Sequence, residues 1–195
     1  MIRTGRLAAL VGVMAVAMTA GIAYGELQLG DQAPKWSGLR GTDDVQHGLS
    51  DYAGAKVLVV VFTCNNCPVA QAYQDRLIAL AKDYQSKGVQ VVAIDVNRGE
   101  ELEAMRERAK EKGYNFPYLN DPTQKSARDH GAKNTPHVFV FDKDRKLVYM
   151  GGIDDTMNED NVKHHYLRDA LDAILAGKLP DKPETPHPGC GIKWK

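Results

Sequence analysis

Several stretches of the chain carry a clear pattern of apolar and polar positions. Residues 56–63 form a continuous β-branched apolar run, the mark of a strand covered on both faces. Val69, Tyr73, Leu77, Leu80 and Tyr84 then recur at helical steps, and Gly88 closes the segment. Residues 89–94 read as a second buried strand. Residues 100–112 read as a charged helix with Leu102, Met105 and Ala109 inward, a solvated outer face and Gly113 as its stop. Residues 116–119 read as a short extended piece, and residues 123–130 as a short helix. Residues 137–141 are a third strong strand. Asp142-Lys143-Asp144-Arg145 is turn chemistry, so residues 147–150 return as the second arm of a hairpin. A final helix is predicted from about residues 158–160, carrying Val162, Leu167, Leu171, Ile174 and Leu175 up to Gly177. Helix capping and a negative first turn account for Asp154, Asp155, Glu159 and Asp160, and His164 and His165 belong on the surface.

The order β-α-β-α-β-β-α predicts an α/β fold. A parallel βαβ unit with a right-handed crossover is followed by an antiparallel hairpin, and helices cover both faces of a central sheet. Residues 26–51 read as loops with a hairpin leading in. Pro180, Pro183, Pro186 and Pro188 predict an irregular tail over residues 179–195. There is no internal repeat, and residues 26–178 read as one domain.

Arg3 and Arg6 precede an uncharged apolar run that ends in Ala23-Tyr24-Gly25. This is the pattern of a secretory signal peptide cleaved near Gly25/Glu26. A retained membrane anchor is the rival reading; both export the domain to the periplasm or another extracytoplasmic space. The 195 residues balance 25 Lys+Arg against 25 Asp+Glu, so no basic footprint points to nucleic acid. Three cysteines are too few for a disulfide scaffold.

Two of them form Cys64-Asn65-Asn66-Cys67, between the first strong strand and its helix. A CxxC at that place in a βαβ pattern is a redox signal. The helix N-terminus offers unpaired N–H groups and a positive dipole end, which favour a thiolate at Cys64. Cys64 is expected to be the exposed attacker and Cys67 the buried resolver that closes the bond. Half a zinc site, a purely structural disulfide, and a copper site completed by a histidine are the other readings of the pair. Thr135-Pro136-His137 precedes the third strong strand. A cis Thr135-Pro136 bond would leave the Thr135 backbone free to pair with a partner's extended chain; an ordinary trans proline at a strand start is the alternative. His137 would then sit near the disulfide as a modulator or metal ligand, or else face solvent at the strand edge. Cys190 is a candidate for a further redox role. It could resolve a mixed disulfide, tether another subunit, bind metal with His187, or sit idle.

Residues 61–68, 135–142 and 189–195 (Val-Phe-Thr-Cys-Asn-Asn-Cys-Pro, Thr-Pro-His-Val-Phe-Val-Phe-Asp and Gly-Cys-Gly-Ile-Lys-Trp-Lys) together resemble the thioredoxin-like superfamily. They are most similar to exported redoxins related to alkyl hydroperoxide reductase and thiol-specific antioxidant proteins. The likeness extends to residues 29–34 and 149–155. It implies a thioredoxin fold, a reversible Cys64–Cys67 disulfide and a cis-Pro136 loop. Leu58 and Ala70 stand where relatives carry a proton-accepting carboxylate, and Val61 and Val57 stand where peroxiredoxins carry Thr and Pro. The resulting expectation is an exported thiol–disulfide oxidoreductase acting on protein or small-molecule disulfides and thiols. A redox partner protein would supply its electrons, and no cofactor or metal is needed. A thiol-dependent peroxidase and a non-enzymatic copper-binding module are the alternatives.

Overall fold

The computed structural model describes residues 26–195; the leader expected over residues 1–25 lies outside them. The chain opens with a small antiparallel hairpin, β1 (Leu39–Gly41) and β2 (Gln46–His47), and a 3-10 turn at Leu49–Tyr52. The βαβ unit follows as β3 (Val57–Thr63), α1 (Pro68–Gln85) and β4 (Val89–Asp95), with β3 and β4 parallel. Then come α2 (Leu102–Lys112), β5 (Tyr118–Asn120), α3 (Lys125–His130), β6 (Asn134–Thr135), β7 (His137–Phe141) and β8 (Leu147–Gly151). The chain ends with α4 (Tyr166–Leu175) and β9 (Cys190–Gly191). The main sheet runs β2-β1-β5-β4-β3-β7-β8, and β6 and β9 pair apart from it.

Every residue of β3 is buried, and its alternation builds two cores. Val57, Val59 and Val61 face α1 and α4 and meet Tyr73, Leu77, Leu80, Leu167 and Leu171. Leu58, Val60 and Phe62 face the other way, toward Trp36, Ala127, Phe139 and Ile192. At roughly 1.5–3 kcal/mol for each fully buried aliphatic side chain, this strand is a main source of stability.

The segment leading into the last helix departs from the sequence reading. The last helix starts at Tyr166, not near residue 158. Asn158 instead caps a single 3-10 turn at Glu159–Asn161, and Val162 leaves it in extended conformation. Asp155 pins this loop, its carboxylate accepting from the Lys163 N–H and its own N–H donating to the His164 carbonyl. Asp154 is no helix cap either. It is buried and accepts from Arg76 Nη1 at 2.6 Å and lies 3.1 Å from His165 Nδ1. Arg76 also donates to the Thr156 carbonyl at 3.0 Å, so α1 holds the loop through one guanidinium. His164 and His165 are exposed, as predicted.

The tail lacks regular structure apart from β9, as its prolines predict, but it is pinned along its length. Glu184 bridges Met150 of β8. Ile192 is buried in the core, its N–H donating to the Lys133 carbonyl at 3.2 Å. Lys193 donates to Asn97 Oδ1 and accepts from Arg98 N and Gln124 Nε2.

Candidate redox site

Cys64 and Cys67 lie where β3 gives way to α1. Cys67 is the N-cap residue of α1, and its Sγ accepts from the Ala70 N–H at 3.3 Å. Pro68 takes the first helical position, where a missing N–H costs nothing. The Thr135-Pro136 peptide is cis, as expected. Thr135 is fully buried and meets both sulfurs: its Oγ1 lies 3.4 Å from Cys64 Sγ, and its carbonyl oxygen 3.1 Å from Cys67 Sγ.

Several expectations about these cysteines are corrected. The disulfide in this structure joins Cys67 to Cys190, not to Cys64, across 123 residues of sequence and a Cα–Cα distance of 6.0 Å. Cys64 is a free thiol and is buried, 1% exposed, rather than an exposed attacker. Its pKa is raised, not lowered. Burial is the main cause, and the charges of Asp95 and Glu100 add to it, while hydrogen bonds from Thr135 and the Cys67 backbone N–H work in the opposite direction. The Ala70 N–H of the first helical turn serves Cys67, so Cys64 gains less from the helix end than its position suggested.

The Thr135 backbone is not free for a partner. β9 pairs antiparallel with β6, with Thr135 opposite Cys190 and Asn134 opposite Gly191. Gly189 makes this approach possible, since a Cβ there would sit 2.4 Å from the Thr135 carbonyl oxygen. Asn134 Nδ2 donates to the His187 carbonyl at 2.6 Å. His137 does not face solvent. It is 4% exposed, stacks on His187 with ring centroids 3.7 Å apart and lies tilted against Phe139. Burial is the main reason its pKa falls to about 3, with the His187 charge adding to it. Among the described residues no group of three His, Cys, Asp or Glu side chains is arranged to hold a metal ion. With Cys67 bonded to Cys190, the alternative copper site of Cys64, Cys67 and a histidine is not assembled.

Sequence reasoning missed a carboxylate pair beneath the Asn-Asn turn. Glu100 accepts from Asn65 N and Asn66 N, each at 3.0 Å, and from Asn66 Nδ2 at 2.9 Å. Asp95 ends β4 in register with Thr63, the residue before Cys64, and is fully buried. Tyr118 Oη lies 2.9 Å from Asp95 Oδ2 and 3.0 Å from Asn65 Oδ1. The phenol has one proton, which serves one of these oxygens; protonation of Asp95 supplies the other contact. Burial and then the Glu100 charge push Asp95 up to about 8, consistent with that protonated form near neutrality. Thus two carboxyls reach the redox turn from β4 and the β4–α2 loop. The one legible signal was an acidic residue ending an otherwise apolar strand.

Residues 29–150 match the model of the AhpC/TSA family. The chain belongs to that family. It is 26% identical over 125 residues to the thiol-disulfide oxidoreductase ResA of Bacillus anthracis, covering 63% of this chain and 69% of that protein. It is 29% identical over 135 residues to a Mycobacterium tuberculosis protein named "Putative peroxiredoxin MT2597", covering 61% of this chain and 81% of that one. Among solved structures, an uncharacterized conserved protein from Geobacillus kaustophilus superposes with a TM-score of 0.81 at 38% identity, covering 87% of this chain and 93% of the other. The central mixed sheet flanked by helices is that of thioredoxin-like structures, a thioredoxin domain from Bacteroides vulgatus among them (TM-score 0.57, 18% identity, 64% of this chain and 89% of the other covered). Its relatives are thiol–disulfide oxidoreductases and peroxiredoxins, which makes this AhpC/TSA member an oxidoreductase in general class.

Proposed function

We propose that this protein is an exported thiol–disulfide oxidoreductase working through Cys64 and Cys67. The observation that carries this reading is the convergence of both sulfurs on Thr135 at the cis-Pro136 turn, with Cys67 engaged in a disulfide. The likeness to ResA supports it, and the basic start and apolar run of residues 1–25 support export. Among the described residues no helix is long and apolar enough to cross a membrane. Substrates are protein or small-molecule disulfides, and a partner dithiol protein returns the electrons.

Reduction of a substrate starts with all three cysteines as thiols. Cys64 loses its proton and attacks one sulfur of the substrate disulfide, forming a mixed disulfide; the other substrate sulfur leaves as a thiolate and takes up a proton. Cys67, as thiolate, then attacks Cys64 Sγ and the second substrate thiolate departs. The products are a Cys64–Cys67 disulfide and two substrate thiols. The Ala70 N–H favours the Cys67 thiolate.

A second reading, a thiol peroxidase, draws on the family and on the Thr135 hydroxyl beside Cys64. The test is a redox titration of reduced Cys190→Ser protein against glutathione, where the Cys67–Cys190 disulfide cannot form, with Cys64→Ser and Cys67→Ser each added to it. A reversible couple lost in either variant supports the oxidoreductase. A pair that no oxidant or reductant converts overturns it. Rapid mixing with peroxide that oxidises Cys64 far faster than free cysteine moves the assignment to the peroxidase.

A further inference from the structure

All three cysteines of the chain meet at one residue. Cys64 Sγ lies on the Thr135 hydroxyl, Cys67 Sγ on its carbonyl oxygen, and the Cys190 backbone pairs with Thr135 across the β6–β9 ladder. Cys67 is bonded to Cys190, yet Cys64 sits three residues before it, close enough to share a hydrogen bond with the Cys67 N–H. The cysteine-bearing tail is also held by contacts that do not need the disulfide. On one side of Cys190, Asn134 binds the His187 carbonyl and the His187 ring lies flat on His137. On the other, Ile192 is buried in the core, and Lys193 is bound by Arg98, Asn97 and Gln124.

We propose that Cys190 is a third redox-active cysteine, which exchanges with Cys64 for the sulfur of Cys67. The proposal rests on the oxidoreductase reading and adds a second resting form to it. In the step, the Cys64 thiolate attacks Cys67 Sγ and a Cys64–Cys67 bond forms. The Cys67–Cys190 bond breaks, and Cys190 leaves as a thiolate that takes up the proton Cys64 gave away. One disulfide and one thiol stand on each side, so no outside oxidant or reductant enters. In the reverse direction Cys190 takes Cys67 and sets Cys64 free. The anchored tail keeps the Cys190 sulfur at the site after its bond opens, which makes the return intramolecular and fast compared with any reagent in solution. A permanent staple between α1 and the tail would have no use for a free thiol at the same threonine.

The full chain is oxidised, equilibrated near neutral pH and quenched in acid. Its remaining thiol is labelled with N-ethylmaleimide under acid conditions, and the label is placed by peptide mapping. One label per molecule, divided between Cys64 and Cys190, is the expected result. A label confined to Cys64 shows a fixed staple, and one confined to Cys190 shows a tail thiol outside the exchange; either overturns the proposal. The Cys190→Ser variant separates the two readings. If its Cys64/Cys67 pair still cycles while the wild-type label stays on one cysteine, only the exchange is lost. If that pair does not cycle, the oxidoreductase reading and the exchange fall together.

Discussion

Asp95 shows how one side chain sets the chemistry of a neighbour it does not precede in sequence. Its charge and that of Glu100 disfavour the Cys64 thiolate, so Asp95→Asn is expected to move the pH midpoint of Cys64 alkylation downward. The measurement is made in a Cys67→Ser/Cys190→Ser background, where Cys64 is the one thiol left. The same residue tilts stability against pH. Its folded pKa, about 8, lies above the ordinary 3.8, so the native state holds a proton the unfolded chain has released. Stability therefore falls as pH rises from about 4 to 8, and urea midpoints of Asp95→Asn should lose that slope. His130 acts at the other end of the scale. Burial lowers it to about 4 from 6.5, so the stability tied to its neutral form is complete above 6.5 and is lost as pH falls toward 4. His130→Phe, placed among Phe62, Phe139 and Phe141, should flatten this acid limb. None of this was legible from spacing. Glu100 reaches Asn65 and Asn66 through a loop, and only the register of β3 with β4 brings Asp95 beside the redox turn.

The elements themselves were legible to different degrees. β3, α1, β4 and β7 could be read because burial on both faces of a strand, or on one stripe of a helix, leaves a long regular pattern. The start of α4 could not, because hydrogen bonds from Asp155 and the Asn158 cap hold residues 155–163 in a loop with apolar Val162 at an almost helical spacing. The β6–β9 ladder is two residues long on each side and carries no period at all. Leu171→Ala in α4 removes a fully buried side chain and should cost about 2–5 kcal/mol in chemical denaturation. Arg76→Ala leaves the Asp154 carboxylate buried without its cation. By analogy with other buried pairs this should cost about 3–5 kcal/mol and loosen the loop before α4, read as faster amide exchange there.

For the whole molecule, a disulfide closing 123 residues restricts the unfolded chain strongly. In the chain-entropy picture a loop of that order is worth about 4–5 kcal/mol. Reduction of the wild type should lower its denaturation midpoint, and Cys190→Ser should hold the oxidised protein near the reduced value if Cys64–Cys67, with its far shorter loop, replaces the long closure. The fold class and the cis-Pro136 turn could be anticipated because each leaves a local mark; the partner of Cys67 and the burial of Cys64 could not. The tail's return could not, since it depends on contacts between residues more than fifty positions apart.

That return has a consequence for kinetics. The strand flank beside the cis turn is already occupied by residues 189–191 of the same chain, seated through Gly189 and bonded at Cys190. Under the proposed activity, a folded client that docks by adding a strand there must wait for this segment to lift, whereas a small disulfide needs only a path to one sulfur. Turnover of large clients should then plateau with rising client concentration at the rate of lifting, and that ceiling should be absent for small disulfides.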